Sequence, residues 1–245
     1  LLVLKSYNLK YKRFGENSIL IEWPSIINES ILDNILLLKH ELEKKYLRKT
    51  HIKNSYNSLL ITFQEIKNLK SKISELKEIY TKLKAIKKQI YYKWEIPVCY
   101  EIEFENDLDF LEKSLSIKKE EIVYLHHSSD YTLYNLGFLP GFMYLGGLNK
   151  KIHHPRKEKP ILNVPKGSVG IGGSQTGIYP NESPGGWYII GNSPINLFNA
   201  SERLPCFVKP GDTIKFNPIS SKEYELIKIQ VDSNIYKPIK NRIND

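Results

Sequence analysis

Several side chains between residues 137 and 216 are of types that strands and turns do not require. Arg156 stands in a chain whose 36 basic residues are 31 Lys and only five Arg. Its planar guanidinium suits a two-pronged grip on a carboxylate, which a lysine ammonium cannot reproduce. Gln175, Thr176 and Tyr179 lie on one short run and offer uncharged donors and acceptors suited to an amide. Tyr144 and Asp212 are likewise surplus to any turn. The chemistry indicated is recognition of a small molecule carrying a carboxylate and an amide.

The common phosphate, metal and nucleophile signatures fail. Gly167 and Gly172 have the spacing of the outer glycines of a phosphate loop, but Gly173-Ser174 replaces the Lys-Ser/Thr that reaches phosphate and Mg²⁺. Gly170 and Gly172 begin like a dinucleotide fingerprint, and Gln175 then stands where Gly is needed. Gly172 to Thr176 begins like a nucleophile elbow and lacks its last Gly. His40 is followed by Lys44 where a zinc helix needs its second His. His126-His127 and His153-His154 are adjacent pairs whose side chains diverge, so neither chelates alone. No metal is expected.

Glycine and proline show where the supporting scaffold lies. Of 14 Gly, 13 fall between Gly137 and Gly211, together with nine of the 13 Pro. Interleaved with Phe142, Val164, Ile171, Trp187 and Ile189, they read as short strands joined by tight turns, hence a β-barrel or sandwich. The first 95 residues differ. Ser6–Arg13 and Asn17–Trp23 read as strands. Ile31 to Tyr46 follow a 3.6 period that Asn28 or Ser30 could cap. His51–Tyr56 and Ser58–Phe63 form a second strand pair. A long helix is expected from about Glu65, its apolar stripe running from Ile66 to Ile90 with lysines opposite.

This ββαββα order predicts helices packed on one face of an open sheet. Pro97 disfavours helix at Ile96 and marks a boundary around Trp94–Pro97. A strand over Val98–Phe104 and short helices over 107–115 and 118–127 are expected beyond it. The fold class is therefore α+β: an N-terminal α/β open sandwich over 1–93, then a β-barrel domain over 94–245.

The net charge of +9 lies wholly in residues 1–95, which hold 19 basic and 10 acidic side chains. Lysines spread along helices, with few arginines, do not make a nucleic-acid footprint, so no nucleic-acid partner is expected. No apolar run approaches the ~18 residues of a membrane span, and no membrane association is expected. Leu1 to Leu4 is too short for a signal-peptide core. Cys99 and Cys206, without a CxxC, fit two thiols in a reducing cytoplasm better than a disulfide.

Taken in order, the segments GFLPGFMYL (137–145), Pro155-Arg156, VPKGSV (164–169), QTGIYP (175–180), SPGGWYIIG (183–191) and PGDTIKF (210–216) resemble a known family. It is that of the 5-oxoprolinase B subunit, also called kinase A inhibitor or allophanate hydrolase subunit 1. Ile96–Val98, Asp107-Leu108 and Leu125-His126 fit as well, so the resemblance extends over nearly the whole chain. It implies a cyclophilin-like barrel behind the α/β domain, in a bacterial cytoplasmic protein. It also implies two partners, the 5-oxoprolinase A and C subunits, the latter with a related barrel. Together these would use ATP to open 5-oxo-L-proline, a small lactam, to L-glutamate.

The resemblance gives Arg156 the substrate carboxylate, Gln175 with Tyr179 or Tyr144 the amide, and His126 a proton-carrying role. Gly141, Ser168, Thr176, Gly186 and Trp187 complete the expected site. Ile161 and Asn192 stand where the family usually has Arg, so the anion would meet fewer cations here. A second function is implied too: inhibition of a sensor histidine kinase by binding through the barrel.

Overall fold

Alternating apolar side chains decide which face of the N-terminal sheet is covered. In the computed structural model, which describes residues 5–47, 49–83, 90–101 and 107–243, four strands form an antiparallel sheet. They are β1 (Lys10–Arg13), β2 (Ser18–Glu22), β3 (Thr50–Asn54) and β4 (Ser58–Phe63), in the order β1-β2-β4-β3. Ile19 and Ile21 of β2 face Ile61 and Leu59 of β4, and all four are fully buried. They share one core with Ile35 and Leu38 of α1 (Glu29–Tyr46) and Leu76 of α2 (Leu69–Thr81). The order is the expected ββαββα.

Asn28 caps α1, its side chain accepting from the Ser30 N–H. The second helix is shorter than its apolar stripe suggests. Asn68 accepts from the Ser71 N–H and so fixes the start at Leu69 rather than Glu65. Ile66 precedes the helix yet still packs on the core. The stripe's Ile86 lies outside the described residues.

The chain divides into two compact units, Leu1–Gln89 and Ile90–Asp245. In the second, β5 (Tyr92–Cys99), β6 (Asp130–Leu136), β7 (Met143–Gly146), β9 (Ser168–Gly172), β10 (Gln175–Ile178), β12 (Tyr188–Asn192) and β13 (Thr213–Ile219) close a seven-strand barrel. The order is β12-β9-β10-β7-β6-β13-β5, and β12 pairs with β5 to shut the ring. Val98, Leu133, Leu145, Ile171, Ile178 and Phe216 fill its core. β8 (Ile161–Val164) and β11 (Ser183–Gly185) form a separate two-stranded ribbon, and β14 (Ile239–Arg242) adds to β5 outside the ring. Helices α3 (Leu108–Leu115), α4 (Lys119–His127) and α5 (Ser221–Asp232) complete the unit.

The boundary expected at Trp94–Pro97 instead falls inside β5. That strand pairs with β14 at Tyr92–Glu95 and with β12 at Cys99. Pro97 sits in the gap between the two, where a residue without an N–H is best tolerated. β5 ends at Cys99, and the expected strand residues 102–104 lie outside the described residues.

Candidate functional site

Period-two alternation sorts the candidate residues onto two faces of the barrel wall. Val169 and Ile171 of β9 and Ile178 of β10 belong to the barrel core. Gly172, Gln175, Gly177 and Tyr179 therefore take the outer face, and Thr176 the inner one. Two glycines make room on the outside. A Cβ on Gly172 would lie 2.5 Å from the Trp187 indole nitrogen, and one on Gly185 would overlap the Tyr179 hydroxyl. The indole thus lies flat on the barrel wall. Phe142 stands edge-on to Tyr179 and Trp187, with ring centres 5.1 and 5.4 Å apart. With Val164 and Ile189 these rings form a cluster separate from the barrel core.

Gly172→Ala should therefore lift the indole. The expected cost is about 2 kcal/mol, as for other overpacked sites, read in a urea melt, with an altered near-ultraviolet circular dichroism band. A variant matching wild type in both would show that Trp187 does not depend on this platform.

A cavity of about 400 Å³ opens over the aromatic cluster. Phe142, Tyr144, Tyr179 and Trp187 wall it, Phe138 lines it from an exposed position, and Arg156 is the one cation among its described lining residues. The guanidinium carbon lies 5.6 Å from the Trp187 ring centre, within cation–π range. Among the described residues Arg156 has no carboxylate partner. Its neighbour anchors it: the Lys157 N–H donates to the Gly186 carbonyl (2.8 Å) and its ammonium to Asp107 Oδ1 (2.8 Å). Asp107 Oδ2 in turn accepts the Ile189 N–H at 2.7 Å. Phe138 holds φ at 64°, a backbone state that costs a residue with a side chain about 1–2 kcal/mol.

Burial raises the Tyr144 hydroxyl above its ordinary pKa of 10, and the Arg156 charge opposes that. Burial raises Tyr179 too, opposed by the Trp187 main-chain N–H and then by Arg156. Both phenols keep their protons at neutral pH and present O–H groups beside a fixed cation.

Of the residues singled out from sequence, Arg156, Tyr144, Tyr179, Gly186 and Trp187 line the cavity. Gln175 faces outward opposite Gly172 and does not line the cavity. Gly141, Ser168, Thr176 and His126 stand apart from it.

His126 is fully buried, stacked on Phe216 with ring centres 4.7 Å apart. Its Nε2 lies 2.9 Å from Thr176 Oγ1, and Thr176 donates its own proton to the Gly170 carbonyl. Nε2–H must then be the donor, which leaves Nδ1 to accept from the Tyr100 hydroxyl at 2.8 Å. Burial, and then the neighbouring His127, push His126 down to about 3, so it is neutral at physiological pH. This histidine ties the barrel interior together.

The other imidazoles do not join it. His154 contacts Ser114 Oγ and the Pro155 carbonyl, and His153 the Leu148 carbonyl. Among the described residues no three His, Cys, Asp or Glu side chains gather as a metal site. Nor do the residues fit ATP. The glycines from 167 to 172 lead into and form β9 with no helix behind it, and the cavity lining offers a single cation for three phosphates.

The two departures from the family pattern leave the cavity lining untouched. Ile161 is partly exposed on β8. Asn192 is buried, donating to the Lys166 carbonyl and accepting from the Tyr224 hydroxyl, both at 2.9 Å. Ser183 and Phe142 line the cavity although sequence reading singled out neither, and the Asp107–Lys157 clamp was equally invisible. Only the Ser-Pro-Gly-Gly-Trp run hinted at the first.

Comparison with known proteins agrees with this architecture. The family described as "Carboxyltransferase domain, subdomain C and D" matches residues 9–208. The chain is 41% identical over 167 residues to the 5-oxoprolinase B subunit of Bacillus subtilis (strain 168), spanning 68% of this chain and 67% of that one. It is also 41% identical over 160 residues to the protein of the same name from Haemophilus influenzae, spanning 65% and 75%. The crystal structure of the K. lactis urea amidolyase matches with a TM-score of 0.83 over 98% of this chain and 17% of that one. At 21% identity that is a likeness of fold alone. With its sandwich, closed barrel and motif series matched over this span, the chain belongs to the 5-oxoprolinase B-subunit family of carboxyltransferase subdomain C and D proteins.

Proposed function

We propose that the chain acts as the B subunit of a cytoplasmic bacterial 5-oxoprolinase. Together with the A and C subunits it opens 5-oxo-L-proline to L-glutamate, and ATP is used by the complex. The observation that carries this reading is Arg156, a cation without a carboxylate partner among the described residues, held beside an aromatic-walled cavity of small-molecule size. A lactam acid has the matching parts: a carboxylate for the guanidinium fork and an apolar ring face for the indole.

ATP supplies the activation that a resonance-stabilised amide needs, and it binds elsewhere in the complex. This chain's residues hold the ring. Arg156 grips the carboxylate, and the protonated Tyr144 and Tyr179 hydroxyls donate to the amide oxygen, the atom that gains negative charge when its carbon is attacked. The rings of Phe142 and Trp187 exclude bulk water from the ring face.

The test is ATP-dependent glutamate release by the reconstituted complex. Arg156→Lys keeps the charge and loses the planar fork, so kcat/KM should fall about tenfold, equivalent to about 1.4 kcal/mol. Unchanged kinetics would remove Arg156 from the substrate. Release that proceeds equally well without this chain would sink the catalytic reading and favour inhibition of a histidine kinase through the barrel.

A further inference from the structure

We infer that the Ser183 hydroxyl is a second polar contact of the cavity, reading the ring amide of the same cyclic acid whose carboxylate Arg156 holds. This rests on the lactam reading of the site and adds a residue that discriminates between ring chemistries. Ser183 opens β11 and is more than nine-tenths buried, at 8% exposure. Its Oγ finds no hydrogen-bond partner among the described residues, and it lines the cavity.

Buried hydroxyls are almost always paired, so an unpaired one on a cavity wall points to a partner that arrives with a ligand. The other such groups among the described residues of this unit, Asn135 Oδ1 and Ser193 Oγ, belong to residues that do not line the cavity.

The surroundings say what kind of ligand. Gly185, two residues along the same short strand, packs against the Tyr179 hydroxyl. Gly186 holds the Lys157 main chain beside Arg156. One short segment therefore carries the hydroxyl, the space for the phenol and the anchor of the guanidinium. A serine hydroxyl donates one hydrogen bond and accepts others, so it can serve either an amide N–H or an amide carbonyl. A ring without either group would gain nothing from it. The occupant is a small five-membered cyclic acid with an amide in the ring, and Ser183 separates it from an isosteric carbocyclic acid.

The probes are 5-oxo-L-proline and cyclopentanecarboxylate, which has the same ring size and carboxylate and no amide. Binding is measured by titration calorimetry on the full chain, alone and in the reconstituted complex. Wild type should bind 5-oxo-L-proline about tenfold more tightly than cyclopentanecarboxylate. Ser183→Ala should erase that difference by weakening the lactam alone, whereas Arg156→Lys should weaken both acids. Ser183→Cys, close in size and a poor hydrogen-bonding group, should resemble Ser183→Ala and guard against a folding artefact.

Equal affinity of wild type for the two acids overturns the inference. So does a Ser183→Ala chain that still prefers the lactam, or a wild type that binds neither acid. Glutamate release by the reconstituted wild type is read in parallel. Its absence while Ser183-dependent discrimination persists would overturn the 5-oxoprolinase reading and leave the Ser183 contact standing. Its presence with discrimination independent of Ser183 would do the reverse.

Discussion

Asp212→Ala is expected to cost the barrel about 4 kcal/mol. Asp212 is 1% exposed, and its carboxylate accepts three hydrogen bonds. Oδ1 takes the Tyr92 N–H, and Oδ2 takes the Trp94 indole N–H and the Lys209 N–H, each at 3.0 Å. Two of these donors lie on β5 and the third in the turn entering β13, so one side chain ties together the parallel pair of the barrel. Alanine strands the buried Trp94 indole N–H and leaves the part-buried Tyr92 and Lys209 N–H groups without their acceptor. A hydrogen bond to a charged acceptor contributes about 1.5–3 kcal/mol, and an unmatched buried donor costs about 1–3. Non-additivity within one cluster brings the sum down to about 4. The barrel's melting temperature should fall by about 8–16 °C, at about 2–4 °C per kcal/mol for a unit of this size. Asp212→Asn should lose less, because it keeps one acceptor oxygen; its remaining loss comes from the amide N–H that then faces a donor. A loss below about 1 kcal/mol for the alanine variant would show that the knot is replaceable.

The second large effect is acid sensitivity from His126. The folded protein holds this imidazole neutral down to about pH 3, whereas the unfolded chain takes up a proton near pH 6.5. Between those values the unfolded state binds more protons, so stability rises with pH and is lost as pH falls. The slope is about 1.4 kcal/mol per pH unit, which makes the loss about 2 kcal/mol at pH 5. His127, also lowered, by burial and then by the Lys215 charge, contributes in the same direction. His126→Gln should be less stable than wild type at pH 8, because Tyr100 and Thr176 lose a well-placed partner. It should also show a clearly shallower decline between pH 6.5 and 5. Parallel curves for the two proteins would remove His126 as the source.

How much of this was legible beforehand varies by element. The ββαββα order could be read directly, because Ile19, Ile21, Leu59 and Ile61 alternate and the helical stripes repeat every 3.6 residues. The start of the second helix could not. Its apolar stripe continues on both sides of the cap, and Asn68 was one more polar residue until its side chain met the Ser71 N–H. Pro97 misled because a missing N–H breaks a strand only where a partner needs it, and the gap between β14 and β12 is a property of the assembled sheet.

The candidate site divides the same way. Arg156, Tyr144 and Tyr179 were visible as types that turns do not need, and so was Asp212, which the fold uses as an internal knot away from the cavity lining. Gln175, Thr176 and Tyr179 looked like one group because they are close in sequence. A strand sends neighbours to opposite faces, so Thr176 pairs with His126 inside the barrel while Tyr179 faces outward to the cavity.

By itself the sequence determined the two-part α+β architecture, the family, and the rarity of the arginine at 156, because local periodicity and residue chemistry are carried by the chain. The tertiary structure alone decided which of those residues share a cavity. Whether a hydroxyl such as that of Ser183 is paired, or a histidine such as His126 is shut away from water, depends on contacts between segments tens of residues apart.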